Sequence, residues 1–322
     1  MIDMVGQTIF LWIVVTIGSL TTVTCALLYF QRIRLERPAI GVFNGRDIFF
    51  LLFFIVALPL LYLVLPSMVL TGFLILTFVT AMYITLRPLL LARYVWLIIP
   101  SLIVVNVLVT ETLLGTRTGW QVYWILNSIV VLISVIGVSN LYVQGGMRLR
   151  HISWFALSLG VYDGIFAFVI PITQKLADSF EGRPLDASIG FTIGMYSGNI
   201  GIGDLLVYSL FMVAAYKGFG KRGVISSFTI ITIFGAFMPA IAPLVITSLM
   251  RGTIGIVIPA QIFFGPAAFV TYLWLSRHAP ERSMAQWYSI QAATGRKIVF
   301  AQRAQRRVRP VQPVAGQGVG GR

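Results

Sequence analysis

The sequence predicts an all-α membrane protein with nine transmembrane helices, and three observations predict it. Of 322 residues, 58% are apolar and only 11% are charged, whereas soluble domains carry about a quarter charged residues. The mean hydropathy is +0.90. The apolar residues come in uninterrupted runs of about 18–25, the length that crosses the ~30 Å hydrocarbon core as a helix. Nothing both polar and globular remains to form a soluble domain.

Hydropathy places the spans at about 8–30, 48–66, 68–86, 95–112, 122–143, 153–172, 196–217, 224–250 and 256–276. The first is too long for a cleaved signal peptide. Asp3 is the only charge before it, and Arg32, Arg34 and Arg37 follow it. The second lies beyond Asp47, the third ends at Arg87, and the fourth runs from beyond Arg93 to the region of Glu111. Arg148 and Arg150 separate the fifth from the sixth. The seventh ends at Lys217, the eighth runs between Arg222 and Arg251, and the ninth stops at Arg277. Pro59, Pro100, Pro171 and Pro266 mark kinks within the spans. Trp120, Tyr123, Trp124 and Trp154, near span ends, form an interfacial aromatic belt. The chain divides into residues 1–152 as a scaffold of five helices, 153–276 as a catalytic half of four, and 277–322 as a basic tail with the composition of a disordered segment.

An odd number of spans puts the termini on opposite sides. Twenty of the 24 Lys and Arg residues then share one side, and only Arg117, Lys175, Arg183 and Arg251 lie on the other. The positive-inside rule places the N-terminus outside and the C-terminus in the cytosol. The net charge of +14 is thus read as topology rather than as a nucleic-acid footprint, and the bilayer is the partner it implies. The absence of long extra domains favours a prokaryotic cell membrane over an endomembrane.

Several chemistries are excluded. Cys25 is the only cysteine, so no disulfide or Cys-rich metal framework exists. His151 and His278 sit at the edges of apolar runs, and no His-Glu-x-x-His zinc motif or phosphate-binding Gly-Lys-Ser/Thr loop occurs. No metal or organic cofactor is implied. Of the ten acids, Asp3, Glu36, Asp47, Asp178, Glu181, Asp186 and Glu281 fall in loops or tails, and Glu111 near a span end. Asp163 and Asp204 remain, inside the sixth and seventh spans. A carboxylate at that depth costs at least ~2.5–3.5 kcal/mol and marks a functional site by default. Counted as helical residues from the span ends, both lie roughly 12–14 Å below the outer surface, on antiparallel neighbours. Two carboxyls in contact at low dielectric do not both ionise, so one keeps a proton. A base for water and an acid for a carbonyl oxygen follow from that pairing. The same acids also suit a proton or cation relay in a channel or transporter.

Glycines surround both positions. Asp204 follows Gly198-Asn199-Ile200-Gly201-Ile202-Gly203, and Asp163 sits in Gly160-Val161-Tyr162-Asp163-Gly164. Tyr162-Asp163, Gly201-Ile202-Gly203-Asp204 and Pro259-Ala260 at the start of the ninth span, in that order, resemble the presenilin and signal peptide peptidase family. These are intramembrane aspartyl proteases with Tyr-Asp, Gly-x-Gly-Asp and Pro-Ala-Leu motifs. The resemblance covers residues 153–276; the first five spans match in number and hydrophobicity alone. It implies a presenilin-like fold and proteolysis of transmembrane segments, among them signal-peptide remnants and type II anchors. It further implies Asp163 and Asp204 as the catalytic pair, with Tyr162, Gly201, Gly203, Pro259, Ala260 and Gln261 as active-site support. Gln261 departs from the motif's leucine; if it only fills that place, Gln261→Leu preserves or raises activity. Pro239-Ala240-Ile241-Ala242-Pro243 is a second candidate for the motif, on the eighth span. The loop 173–195 reads as a gate beside the site or as a solvated linker.

Overall fold

A computed structural model of the protein describes residues 2–35, 47, 49–50, 52–53, 57, 66–168, 182–193, 196–249, 258–293 and 299–300. Most of the second expected span, the first part of the loop 173–195, and most of the basic tail lie outside these residues. In chain order the elements begin with α1 (Ile2–Arg32), β1 (Ile33–Arg34), α2 (Ser67–Leu86), α3 (Ala92–Leu113), α4 (Arg117–Gln144) and α5 (Leu149–Phe168). They continue with β2 (Ser188–Ile193), β3 (Tyr196–Gly201), α6 (Ile202–Phe219) and α7 (Lys221–Ile230). A π-helical stretch (Ile231–Phe237), α8 (Met238–Leu249), α9 (Gln261–His278), α10 (Met284–Ala293) and β4 (Val299–Phe300) complete them. Among the described residues, six stretches are long and apolar enough to cross a membrane: Val5–Arg32, Met68–Leu86, Ala92–Leu113, Arg117–Gln144, Ile202–Phe219 and Lys221–Val245.

The central helix is α6. In its most apolar window 72% of residues are buried, against 28–50% in the other five stretches. Its residues are apolar on every face, as a helix enclosed by other helices requires. Around it stand α1, α4, α5 and α7. Small residues set the closest approaches. A Cβ on Gly160 of α5 would lie 2.6 Å from the Gln261 carbonyl oxygen, and one on Gly265 of α9 would lie 2.4 Å from that of Ala156. These two glycines therefore seat α5 and α9 backbone to backbone. The long helix α1 contacts both ends of the bundle. Leu11 packs under Gly198 of β3, and Phe30 packs on Trp287 of α10, ring centroids 4.4 Å apart.

Three expectations are corrected. The seventh span does not run as a helix from residue 196: Tyr196–Gly201 is a strand, paired antiparallel with Ser188–Ile193 in the register Ser188↔Gly201 to Ile193↔Tyr196. Gly198 and Gly201 lower the helical preference there. The extended chain is held by ladder bonds and by Trp124, whose ring would collide with any Cβ at Gly190. Next, Tyr123 and Trp124 do not belong to an interfacial belt, because both are buried beneath this hairpin. Finally, the tail is ordered where described. Trp287 is buried, the Arg34 guanidinium lies 4.1 Å from the Tyr288 ring centre, and β4 pairs in parallel with β1.

Backbone that leaves helical geometry inside an apolar bundle needs partners that water cannot supply. Buried amide side chains supply them. Asn127 Nδ2 donates to the carbonyls of Asp186 and Ser188, both at 2.7 Å, and Asn106 Oδ1 accepts from the Leu185 amide at 2.8 Å. At the other end of α4, Gln144 donates to the Ile33 carbonyl at 3.0 Å and accepts from the Leu35 amide at 2.8 Å.

Candidate active site

Asp204 stands in the first turn of α6, where Gly201, extended at φ −66° and ψ 149°, ends the strand and begins the helix. The loss of six helical residues before it removes the depth derived by counting turns. Helix α5 packs beside α6, and this leaves the Asp163 carboxyl within electrostatic reach of Asp204. Both side chains are half-buried.

The neighbouring glycines divide by what a side chain would meet. At Gly164 and Gly203 a Cβ would have nothing within 4 Å, and at Gly201 its nearest neighbour would be Asp204 Oδ2 at 4.0 Å. Each aspartate thus has a neighbouring glycine, Gly164 after Asp163 and Gly203 before Asp204, at which a side chain would meet nothing. Gly160, by contrast, is filled by the start of α9.

Pro259 and Ala260 lead into α9, and the Ala260 carbonyl accepts from the Phe263 and Phe264 amides at 3.1 and 3.0 Å. That turn presents Gln261, whose Nε2 donates to Asp204 Oδ1 at 2.9 Å. Of the two candidate motif stretches, residues 259–261 thus reach an aspartate. Pro239 to Pro243 lie in α8, which packs on α1 and the π-helical stretch. Tyr162 stays on its own helix, its ring 4.4 Å from that of Phe166 and within electrostatic reach of Asp163.

Some buried or paired residues, in the site and away from it, gave little sign in the sequence. Tyr208, one turn beyond Asp204, is fully buried; its hydroxyl donates to the Gly235 carbonyl at 3.0 Å and its ring packs on Phe264 at 4.4 Å. Gly235 lies in the π-helical stretch, where a Cβ would come within 2.8 Å of the tyrosine ring. The wider turn and the missing side chain together make room for it. Asp186, set aside above as a loop acid, is buried and accepts from Ser188 Oγ at 2.9 Å. Glu281, set aside likewise, accepts from the Leu149 amide at 2.7 Å and so caps the N-terminus of α5. A lone acid in a polar loop carries no pattern that announces such burial.

The fold is that of a mostly helical membrane protein, with two acids, Asp163 and Asp204, on packed helices. Comparison of the chain with protein-family models gives no match, and comparison with curated proteins gives none either.

Proposed function

We propose that the protein is an intramembrane aspartyl protease that hydrolyses peptide bonds within transmembrane segments. The observation that carries this reading is that two acids on the packed helices α5 and α6, Asp163 and Asp204, lie within electrostatic reach of each other, each beside a glycine where a side chain would meet nothing. In the reaction one carboxylate takes a proton from water as the water oxygen bonds to the scissile carbonyl carbon. The protonated partner gives its hydrogen to the carbonyl oxygen. As the tetrahedral diol collapses, one of its hydroxyls returns a proton to the carboxylate that had given one, the C–N bond breaks, and the departing nitrogen takes a proton from the acid that gained one from water. Holding both acids beside the carbonyl converts an encounter of three groups into a positioned step.

The reading includes a presenilin-like arrangement of nine spans, in which α5 and α9, with 20 and 18 residues, also cross the bilayer. Tyr162, Gly201, Gly203, Pro259, Ala260 and Gln261 surround the pair. The N-terminus faces outside and the C-terminus the cytosol, in a cell membrane of prokaryotic type. Substrates are transmembrane peptides such as signal-peptide remnants and type II anchors.

The test is cleavage of a transmembrane peptide by the reconstituted protein, with products identified by mass spectrometry. Asp163→Ala, Asp204→Ala and the corresponding Asn variants each abolish cleavage and remain folded, because an amide does not exchange the proton. Capture by a peptide transition-state analogue of aspartic proteases accompanies activity. A wild-type protein that cleaves nothing, is not captured, and instead carries protons or cations across vesicles rejects the protease in favour of a transporter.

A further inference from the structure

Gln261 is the place where this chain departs from the Pro-Ala-Leu pattern, and it engages both sides of the aspartate pair. Its backbone carbonyl fills the space at Gly160, one turn before Asp163 on α5. Its side-chain Nε2 donates to Asp204 Oδ1 on α6. The residue is only 3% exposed, and Oε1 has no hydrogen-bond partner among the described residues. A buried amide acceptor without a partner is rare in native proteins and calls for an explanation.

We propose that Gln261 is a two-ended positioning residue: its N–H end holds Asp204 Oδ1, and its carbonyl end accepts one hydrogen of the attacking water. This rests on the protease reading. An N–H donated to a carboxyl oxygen stabilises the ionised form more than the neutral one, so this hydrogen bond favours Asp204 as the base and leaves the shared proton on Asp163. The two ends of one amide share a carbon, so a water accepted by Oε1 stands beside Asp204. One of its hydrogens stays on Oε1 and the other passes to Asp204 Oδ2 as its oxygen bonds to the scissile carbon. The carbonyl π electrons move onto oxygen, which takes the proton from Asp163. A leucine at this position offers neither end, so the expectation that Gln261→Leu preserves activity is replaced by its opposite.

The experiment uses the full-length protein in proteoliposomes with a transmembrane peptide, and measures kcat and KM across pH. Gln261→Leu lowers kcat by about 10–100-fold, the scale of a misplaced reacting group, with KM within about twofold. Gln261→Glu is the isosteric control: when protonated it donates to Asp204 and accepts with its other oxygen, and when ionised it repels Asp204. Its activity relative to wild type therefore rises as pH is lowered, while that of Gln261→Leu stays flat. A pair of peptide isosteres with and without the hydroxyl that mimics the attacking water gives a second readout. Gln261→Leu weakens binding of the hydroxyl-bearing member alone. A leucine variant with wild-type kcat, or a glutamate variant whose loss is the same at every pH, overturns the proposal while the protease stands. If Gln261→Leu does not fold, Gln261→Glu decides alone. A wild-type protein that neither cleaves nor is captured removes the protease and this role with it.

Discussion

At the scale of single residues, the glycines beside the two aspartates are more informative than their number. Gly164 and Gly203 face open space, whereas Gly160 and Gly265 meet backbone oxygens at 2.6 and 2.4 Å. Substitution at the two pairs therefore has different consequences. Gly164→Leu and Gly203→Leu are expected to fold with wild-type thermal stability in detergent and to lose most cleavage, because the added side chain occupies the approach to the carboxyls. Gly160→Leu and Gly265→Leu separate α5 from α9 and are expected to lower the melting temperature, as overpacking a close contact costs about 1–3 kcal/mol. Equal stability loss at all four positions would contradict this division. The sequence made the aspartates legible because a carboxyl in a long apolar run is expensive wherever it sits. It made Gln261 legible only as an irregularity, since a neutral amide at a span's edge has no comparable cost. Its bond to Asp204 depends on how α9 meets α5, and spacing along the chain does not specify that.

At the scale of elements, the described helices of the expected spans were legible to within about six residues at their ends, and the hairpin was not. The expected spans 68–86 and 95–112 correspond to Ser67–Leu86 and Ala92–Leu113, since a long apolar run in a membrane has one way to satisfy its backbone. The expected seventh span begins at residue 196 and so extends the helix across β3, and β2 falls within the expected loop 173–195. What makes them a hairpin is tertiary: Trp124 against Gly190, Leu11 against Gly198, and Asn127 bridging the Asp186 and Ser188 carbonyls. None of these contacts is local, and buried asparagines on an otherwise apolar helix were their one trace in the sequence. Because β3 runs directly into the first turn of α6, the hairpin's position is coupled to that of Asp204. Asn127→Leu leaves two carbonyls without their donor, a loss of about 1–3 kcal/mol for each unsatisfied group. Amide hydrogen exchange is expected to quicken across Ser188–Gly201 while the amides of α2 keep their protection. Unchanged exchange in the hairpin would show that its ladder and packing hold it without Asn127.

At the scale of the whole molecule, the two ends of the bundle are built differently. One end carries the hairpin, with β3 leading to Asp204. The other carries the ordered start of the tail, where Glu281 caps α5, the Arg282 amide donates to the Gly218 carbonyl at 3.3 Å, and buried Lys217 donates to the Met147 carbonyl. The tail to Ala293 is thus part of the bundle, and its composition alone concealed this, because a few anchors such as Trp287 suffice to fix it. Lys217, Lys221, Arg222, Arg277 and Arg282 belong to this second end, and in the proposed topology the positive-inside rule makes it the cytosolic one. In that proposed topology the hairpin and the start of α6 face outward, which would give the proposed catalytic pair a direction in the membrane. Acid, base and water approach one face of the scissile carbonyl, so a site fixed in one orientation selects substrate helices of one polarity. Signal-peptide remnants and type II anchors, with N-termini in the cytosol, have the polarity expected here, as the resemblance to signal peptide peptidase also implies. The measurement uses one transmembrane helix in two versions that differ only in flanking lysines, so that each inserts in a single orientation beside the reconstituted enzyme. The version with its N-terminus on the enzyme's C-terminal side is expected to be cleaved at least about tenfold faster, a difference of roughly 1.4 kcal/mol in the barrier. Faster cleavage of the opposite version would overturn the orientation drawn from the charge distribution and leave the pairing of Asp163 with Asp204 untouched.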